Sequence, residues 1–460
     1  MTTKNLPVVS AALFCIASCV NVPVLSEEMA AVRDYVPRNA VMAHRGSTYW
    51  APEETESAWR WAREMGADYL ESDLQCSKDG VLLATHDDNL CRTTNIEEVF
   101  GDDIPLMRQA FYESLGFCAE DAAAQVERDR KDFIPYRLAS YYYAELLTLD
   151  AGGWFNKARP EQARPSYKAS YSGENDRLAL DYSTGQYVSA LYDQLAYAEG
   201  SRLRRDASGR RILPYALREG LEERGLAELD GKYMEIVDYD FSQAYEKDPA
   251  DGGNRPGIYI EFKEPQFNPE DMELRVYELL AERGWNIMTE PAAETGFYKD
   301  GKVNVGRTSG KVILQTFSTE SLRRANEVFH GSLPMCFLIW ETCPEDVPGG
   351  SFENKSGYCR MLGWAQANGA HIIGPSISGE PNNYMELDKA WQADLVRRSG
   401  MLNHPYSFDS LEQMEEHALR SDGFFTNRTD LTLSYLKSHG LRDVPAVLPD
   451  PEATLSRLGY

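Results

Sequence analysis

The 460-residue sequence has few cations for its size, since 47 Lys and Arg residues stand against 72 Asp and Glu, a formal net charge of −25. Proteins that bind nucleic acid neutralise phosphates with clustered Lys and Arg, so this balance argues strongly against such a function. It also disfavours electrostatic adsorption to anionic lipid. An anionic substrate would therefore need a local cation, either a metal ion or a focused Arg or Lys site.

The sequence also lacks an apolar segment long enough to span a bilayer. A short apolar run, LPVVSAALFCIAS, lies near the N-terminus and ends just before Cys19. The pattern is similar to a bacterial lipoprotein signal, in which the peptide is cleaved before a cysteine that becomes lipidated. We therefore expect residues 1–18 to be a signal peptide, Cys19 to be lipidated, and the protein to be exported, either membrane-anchored or periplasmic. An ordinary secretory signal is the alternative.

No CxxC pair occurs, which leaves a zinc or thioredoxin-like site without support. Six cysteines follow the N-terminal region, at positions 76, 91, 118, 336, 343 and 359. In an exported protein a disulfide could join Cys343 to Cys359, which bracket a loop rich in Gly, Pro and Ser. Free buried thiols are the alternative.

Short apolar runs alternate with amphipathic segments along most of the chain. The strand candidates are residues 41–44, 68–74, 81–86, 257–263, 311–317, 335–340, 369–374, 406–408 and 423–426. Strand–helix alternation predicts a parallel sheet covered by helices, and eight or nine strands favour an α/β fold of the TIM-type (β/α)8 barrel class. One strand candidate is therefore in excess.

The predicted domain plan has a linker, a barrel with an insertion, and a tail. The alternation breaks between about 96 and 210, where the pattern is helical and ten of the 26 tyrosines lie between 136 and 197. We interpret this region as an inserted subdomain or lid. The corresponding boundaries are 19–40 for the linker, 41–440 for the barrel and 441–460 for the C-terminal tail.

The segment YLESDLQCSKDGVLLATHDDNL predicts a β-hairpin. Successive residues of a strand point to opposite faces, so Glu71 and Asp73 share one face. Asp79-Gly80 is a strong two-residue turn signal, and in that register Asp73 lies opposite His86, with β-carbons about 4.5–5.5 Å apart. The hairpin would place two carboxylates and an imidazole on one small surface. A solvated edge hairpin has the same alternation.

Residues 41–95 carry an ordered series of short motifs. They are His44-Arg45-Gly46, Pro52-Glu53-Glu54-Thr55, Gly66-Ala67-Asp68, Glu71-Ser72-Asp73, His86-Asp87 and Arg92-Thr93-Thr94. The series closely resembles the opening of the glycerophosphodiester phosphodiesterases, and shorter matches follow at 149–155, 259–265, 315–317 and 422–430. Two positions depart from that family, which has Asn in place of Glu54 and Asp in place of Asn427.

The resemblance implies a divalent cation and an acid/base pair of histidines. The residues that match the family's metal carboxylates are Glu71, Asp73 and Glu261, and those that match its acid/base pair are His44 and His86. Ligands that are all oxygen, with a phosphate substrate, suit Ca²⁺ best, with Mg²⁺ as the alternative.

Further residues are candidates for substrate binding. Arg45 can bind phosphate oxygens bidentately. Lys263 is a second candidate for the phosphate, because it lies two residues beyond Glu261 on the same strand face. Glu53 would orient Arg45 or a water molecule. We interpret Phe317 and Trp340, at strand ends, as aromatic residues at the edge of the core, with contact to the substrate as the alternative.

The expected function is metal-dependent hydrolysis of small glycerophosphodiesters to sn-glycerol 3-phosphate and an alcohol. A phospholipase D-like enzyme that acts on lysophospholipid or sphingomyelin is one alternative. A lipoprotein that binds a partner without catalysis is another, although it would not need a pair of acid/base histidines. The sequence does not indicate the headgroup, the membrane leaflet or the oligomeric state.

Overall fold

The computed structural model describes residues 21–170, 185–217 and 238–460. The predicted signal peptide and Cys19 lie outside the described residues, as does the part of the predicted insertion at 171–184. Among the residues that are described, no helix combines the length and the apolar character needed to cross a membrane.

The described strands are short. They are β1 (Ala40–Ala43), β2 (Tyr69–Cys76), β3 (Leu82–Ala84), β4 (Ser189–Ala190), β5 (Ser201–Leu203), β6 (Tyr215–Leu217), β7 (Asp238–Asp240), β8 (Tyr245–Lys247), β9 (Gly257–Phe262), β10 (Tyr298–Lys299), β11 (Lys302–Val303), β12 (Val312–Thr316), β13 (Met335–Ile339), β14 (Ile372–Pro375), β15 (Leu402–Asn403) and β16 (Gly423–Thr426).

The described helices are distributed along the whole chain. They are α1 (Glu27–Arg33), α2 (Glu56–Met65), α3 (Ile96–Val99), α4 (Arg108–Ser114), α5 (Ala119–Asp129), α6 (Tyr143–Leu146), α7 (Gly153–Ala158), α8 (Leu191–Ala198), α9 (Met272–Glu282), α10 (Thr319–Phe329), α11 (Lys355–Ala367), α12 (Ala390–Ser399), α13 (Leu411–His417), α14 (Thr429–Ser438) and α15 (Pro451–Leu458).

The central sheet contains eight parallel strands in the order β15, β14, β13, β12, β9, β2, β1 and β16. Among the described residues its ladder does not close. Phe408, in the segment after β15, forms an isolated parallel bridge with Thr426 of β16, and the Phe408 N–H donates to the Phe425 carbonyl over 2.7 Å. The fold is therefore the predicted α/β class, with the strands arranged as in a β/α barrel.

Alternate residues of each strand fill two cores. Met42 of β1 belongs to an apolar cluster on the inner side of the sheet, together with Tyr69, Tyr259 and Phe425. Its neighbour Ala43 belongs to the outer cluster, between the strands and the helices. Because both faces of a parallel sheet are covered, its strands are nearly uniformly apolar. The strands could therefore be predicted from apolar runs in the sequence.

The strand candidate in excess is β3, which pairs antiparallel with β2 outside the parallel set. The candidate at 406–408 is wrongly placed, since it holds only two isolated bridge residues and the parallel strand is β15 at Leu402–Asn403. Leu74 lies opposite Ala84, and the Thr85 N–H donates to the Asp73 carbonyl over 2.9 Å. The prediction that His86 lies opposite Asp73 is therefore wrong by one residue.

The turn of this hairpin explains the shift. The Ser77 N–H donates to the Val81 carbonyl over 3.0 Å, so residues 78–80 form a three-residue loop. Gly80 has φ +76, the left-handed conformation that ends such loops. The extra loop residue moves the second strand by one position, so Thr85 rather than His86 faces Asp73.

Of the two alternatives for Cys343 and Cys359, the structure has free thiols and not the candidate disulfide. Cys359 is buried in the outer apolar cluster, and Cys343 packs against the same cluster. The sulfur of Cys359 therefore fills space in the core as a small apolar group.

Described residues of the Tyr-rich region between β3 and β9 form an apolar cluster of their own, which includes Tyr112, Tyr142 and Tyr143. Asp79, at the hairpin turn, connects it to the barrel by accepting from the Tyr143 N–H over 3.0 Å and from the Tyr239 hydroxyl over 2.6 Å. The helix α8, within the same stretch of sequence, packs against α2 and β9 in the outer layer.

Candidate active site

A cavity of about 750 Å³ opens at the carboxyl ends of the parallel strands. Among the residues that line it are His44, Arg45, Glu71, His86, Glu261 and Lys263. Two further predicted residues, Asp73 and Glu53, are buried behind this surface. The structure thus brings all eight predicted site residues together, at the end of a parallel barrel where the loops after the strands converge.

Three carboxylates form a compact cluster, in which one ligand atom each from Glu71, Asp73 and Glu261 lie within 4.8 Å of one another. Parallel pairing of β2 with β9 sets Asp73 beside Glu261. Burial and the neighbouring Asp73 raise the pKa of Glu71 well above its usual range. Burial likewise raises the pKa of Glu261 to about 8, although Lys263 opposes the shift. Like charges this close favour a bound cation.

Two basic side chains border the cluster. Arg45 Nε lies 2.9 Å from Asp73, and the Arg45 backbone N–H donates to Glu71 over 2.7 Å. Lys263 Nζ lies 3.2 Å from Glu261 and 3.9 Å from Asp73. Burial opposes the ionised form of Asp73, but Lys263 and Arg45 outweigh it and hold the pKa of Asp73 far below its usual range.

The short turn after β1 places His44 and Arg45 at the cavity. Arg45 has φ +49 and Gly46 has φ +84. A β-carbon at Gly46 would lie 2.6 Å from the β-carbon of Ala58, so glycine lets this turn approach α2. Nδ1 of His44 lies 2.9 Å from the Asn427 side-chain oxygen. Burial, reinforced by Arg45, lowers the pKa of His44 to about 3.

His86 is held by a chain of charged partners. Its Nδ1 lies 2.6 Å from Asp87, whose other oxygen accepts from Arg92. The same guanidinium donates twice to Glu53, over 2.6 and 3.0 Å, and Glu53 lies 3.6 Å from Arg45. Burial and Arg45 lower the pKa of His86, whereas the hydrogen bond to Asp87 opposes that shift.

Glu54, where the family has asparagine, is buried and has φ +56. Its carboxyl oxygen accepts from the Asp73 backbone N–H over 2.7 Å. Burial, with Asp73 and Glu53 nearby, raises the pKa of Glu54 well above its usual range. The side chain thus supports the strand segment that carries Asp73.

Aromatic side chains form one wall of the cavity, namely Phe317, Trp340, Tyr384 and Tyr406. Trp340 is 39% exposed, and its ring packs against Tyr384 with centroids 5.0 Å apart. Phe317 and Trp340 therefore face the cavity, in agreement with the alternative interpretation that they lie where a substrate would bind.

Several other residues of the site were not singled out from the sequence. Gln315 donates to Glu71 over 2.9 Å, and Arg92 and Asp87 orient His86. All three lie within motifs that resemble the family, so a signal for them existed. Tyr384 lies in a loop with no recognisable pattern, and only the folded chain brings it to the cavity.

Comparison with known proteins supports the resemblance found in the sequence. Residues 44–197 match the model of the glycerophosphoryl diester phosphodiesterase family. A glycerophosphodiester phosphodiesterase of Bacillus subtilis is 32% identical over 130 residues, 28% of this chain and 31% of that protein. A putative glycerophosphodiester phosphodiesterase of the same organism, YhdW, is 46% identical over 140 residues, 30% of this chain and 42% of that protein. The alignments thus span less than half of these relatives.

Solved structures of similar proteins were also found. A putative glycerophosphoryl diester phosphodiesterase from Silicibacter pomeroyi aligns with 88% of this chain and 95% of its own, at 16% identity and a TM-score of 0.47. An Oleispira antarctica phosphodiesterase in complex with sn-glycerol-3-phosphate aligns with 87% of this chain and 97% of its own, at 13% identity and a TM-score of 0.44.

Proposed function

We propose that this chain, whose residues 44–197 match the model of the glycerophosphoryl diester phosphodiesterase family, hydrolyses glycerophosphodiesters to sn-glycerol 3-phosphate and an alcohol. The observation that carries the proposal is that two imidazoles line one cavity with a carboxylate cluster and two basic side chains. Each imidazole has its Nδ1 engaged by a partner, Asn427 for His44 and Asp87 for His86. In both rings Nε2 is left for proton transfer.

The two histidines differ in a way that assigns their roles. His44 faces an amide and has the strongly lowered pKa, so it is neutral at physiological pH and can accept a proton from the nucleophile. His86 faces the carboxylate of Asp87, which stabilises the imidazolium form and opposes the lowering of the His86 pKa by burial and Arg45. We therefore assign His44 as the general base and His86 as the general acid that protonates the departing alkoxide.

The basic side chains bind the anionic phosphodiester. Arg45 and Lys263 line the cavity beside the carboxylates, and both are held in place by Asp73. Glu53 lies between Arg45 and Arg92 and keeps both guanidiniums in position. Since carboxylates surround these two basic side chains, the positive charge that binds the phosphate would come from Arg45 and Lys263 together with a bound cation.

The carboxylate cluster fits a divalent cation. The oxygen atoms of Glu71, Asp73 and Glu261 are buried, close together and all of the ligand type that Ca²⁺ and Mg²⁺ prefer. When bound, such an ion would polarise a phosphoryl oxygen and stabilise the charge of the transition state. We propose Ca²⁺ as the physiological ion, with Mg²⁺ as the alternative.

Turnover of glycerophosphocholine tests the proposal. Purified protein with Ca²⁺ or Mg²⁺ should release sn-glycerol 3-phosphate, and the His44→Ala and His86→Ala variants should lose about 10²–10⁴-fold in kcat. A variant of the exposed His439 should retain wild-type activity and serves as the matched control. Binding of the diester without hydrolysis would contradict the proposal and favour a non-catalytic binding protein.

The aromatic wall favours a second candidate substrate. Phe317, Trp340, Tyr384 and Tyr406 offer an apolar surface that a small polar diester does not need, and it would accommodate the acyl part of a lysophospholipid. Comparing kcat/KM for glycerophosphocholine and lysophosphatidylcholine separates the two substrate classes. Trp340→Ala should lower kcat/KM for the lysophospholipid alone if that substrate is the physiological one.

We further propose export and attachment to the membrane through a lipid on Cys19, on the basis of the apolar run that precedes this residue. Expression of the Cys19→Ser variant in a bacterial host should move the protein from the membrane to the soluble fraction. An unchanged distribution would contradict this assignment.

A further inference from the structure

Asn427 is enclosed by the turn that carries the proposed general base. Its side-chain oxygen lies 2.9 Å from His44 Nδ1 and accepts from the Thr48 hydroxyl over 2.9 Å. Its backbone carbonyl accepts from the Ser47 hydroxyl over 2.9 Å and from the Tyr49 N–H over 3.2 Å. Four contacts from one short loop thus converge on a single residue just beyond β16.

The environment of the Asn427 amide fixes which end faces the imidazole. A side-chain hydrogen bond joins Asn427 to the carboxyl of Asp409, and because an ionised carboxylate only accepts, the NH₂ end of the amide faces Asp409. Burial raises the pKa of Asp409, whereas the hydrogen bond from Asn427 opposes that shift and favours the ionised form. Asp409 also accepts from Asn382 over 2.7 Å and from Ser407 over 3.1 Å. The amide oxygen is therefore the end that faces His44.

We propose that Asn427 is a positioning residue that holds His44 in the tautomer with its proton on Nδ1. An amide oxygen only accepts, so the imidazole satisfies it by donating from Nδ1, and Nε2 keeps its lone pair. Nε2 is then the nitrogen available in the cavity that His44 lines. The catalytic meaning of this arrangement rests on the proposed function, since an Nδ1–H tautomer is what a general base at Nε2 requires.

This arrangement differs from a histidine paired with a carboxylate. An aspartate at this position would put a negative charge beside the ring and raise the pKa of the imidazole. Asn427 accepts the same hydrogen bond without that charge, while the carboxyl of Asp409 lies behind the amide. The ring is thus oriented and kept neutral at the same time.

¹⁵N NMR of the full chain labelled at its histidines measures the tautomer directly, because protonated and unprotonated ring nitrogens differ in chemical shift. The His44→Gln variant identifies the His44 signals among the seven histidines. We expect the wild type at about pH 8 to show a protonated Nδ1 and an unprotonated Nε2. Asn427→Asp, which keeps an acceptor, should retain this tautomer, whereas Asn427→Ala should give a mixture.

Steady-state kinetics provide a second readout. Asn427→Ala should lower kcat up to about 100-fold with KM changed less than about twofold, since binding groups are untouched and only the base is misaligned. Asn427→Asp should recover most of that loss. The control is Asn368→Ala, which removes an amide at the end of α11 that donates to the Trp364 carbonyl.

The variant Asp409→Asn covers the case in which Asn427→Ala does not fold. An asparagine at 409 can accept the amide NH₂ or donate to the amide oxygen, so the Asn427 amide can turn and the tautomers should mix. A wild-type His44 with its proton on Nε2, or unchanged tautomer and kcat in Asn427→Ala, would overturn the positioning role. Absence of turnover in a wild type that shows the expected tautomer would instead overturn the proposed function.

Discussion

The carboxyl of Asp87 accepts a hydrogen bond from Nδ1 of His86 over 2.6 Å. A carboxylate in this position stabilises the protonated ring, which is the form a general acid needs at the start of a reaction. His44 has an amide at the equivalent nitrogen. The chemical difference between the two partners leads to a test that separates the roles of the two imidazoles.

The loss in kcat caused by His86→Ala should depend on the leaving group, whereas the loss caused by His44→Ala should not. With an alkyl leaving group such as choline, the loss of the acid should lower kcat by about 10²–10⁴-fold. With p-nitrophenolate, which departs as a stable anion, the loss in His86→Ala should shrink to about tenfold or less. His44→Ala should stay equally impaired with both substrates.

The measurement is kcat for glycerophosphocholine and for a glycerophosphodiester of p-nitrophenol, with each variant beside the wild type. The reverse pattern, in which only His44→Ala recovers with p-nitrophenolate, would exchange the two roles. Equal losses for both variants with both substrates would contradict the assignment of an acid and a base.

The carboxyl of Asp79 should be important for stability. Replacing it by alanine leaves the Tyr239 hydroxyl and the Tyr143 N–H without their buried acceptor, a loss of about 3 kcal/mol in the free energy of unfolding. Denaturant unfolding measures this. Asp103→Ala, which removes an exposed carboxylate of the insertion that pairs with Arg130, should lower the free energy of unfolding much less, because solvent screens this pair. An equal decrease in the free energy of unfolding in both variants would show that Asp79 does not anchor the insertion.

Asp79 also shows what could and could not be predicted from the sequence. Asp79-Gly80 correctly indicated a turn, because Gly80 needs a positive φ. A two-residue turn and a three-residue loop both place glycine there, so the local sequence does not distinguish them. The one-residue error in register followed from this ambiguity.

The site residues themselves were predictable for a different reason. Glu71, Asp73 and Glu261 lie at the ends of apolar strands, and parallel strands bring such ends together whatever the register of a neighbouring hairpin. The contact between His44 and Asn427 joins residues 383 positions apart. Tyr384 likewise depends on how a long loop folds over the cavity, which local patterns do not specify.

Acid should weaken the fold through His371, which is buried and lies outside the site. Its Nδ1 accepts from the Met335 N–H over 3.2 Å, and burial lowers its pKa to about 4. Below about pH 6.5 the unfolded chain takes up a proton that the folded chain does not, so stability is lost as the pH falls from about 6.5 towards 4.

At pH 5 the lowered pKa of His371 should reduce the free energy of unfolding by about 2 kcal/mol. His371→Gln, which has an acceptor but does not titrate, should therefore lose less stability than the wild type between pH 7 and pH 5. Thermal unfolding at both pH values measures it, with His439→Gln at an exposed position as the control. If His371→Gln shows the full wild-type loss, the acid sensitivity comes from other groups.

The last prediction concerns metal dependence. The activities of Asp73→Ala and His86→Ala should respond differently to added cation. Chelation should abolish turnover, and Ca²⁺ or Mg²⁺ should restore it. Asp73→Ala removes one oxygen ligand and frees Arg45 and Lys263 from their partner, so the cation concentration for half-maximal activity should rise at least about tenfold. Excess cation should then recover part of the activity.

His86→Ala should have the opposite signature, since the imidazole is held by Asp87 and is not among the clustered ligands. Its activity should stay low at every cation concentration, with half-maximal activity reached at the wild-type concentration. The measurement is a Ca²⁺ titration of both variants and the wild type, started from chelator-treated protein. Rescue of His86→Ala but not of Asp73→Ala would mean that the roles are reversed. Full turnover of the wild type in excess chelator would show that the reaction does not need a metal ion.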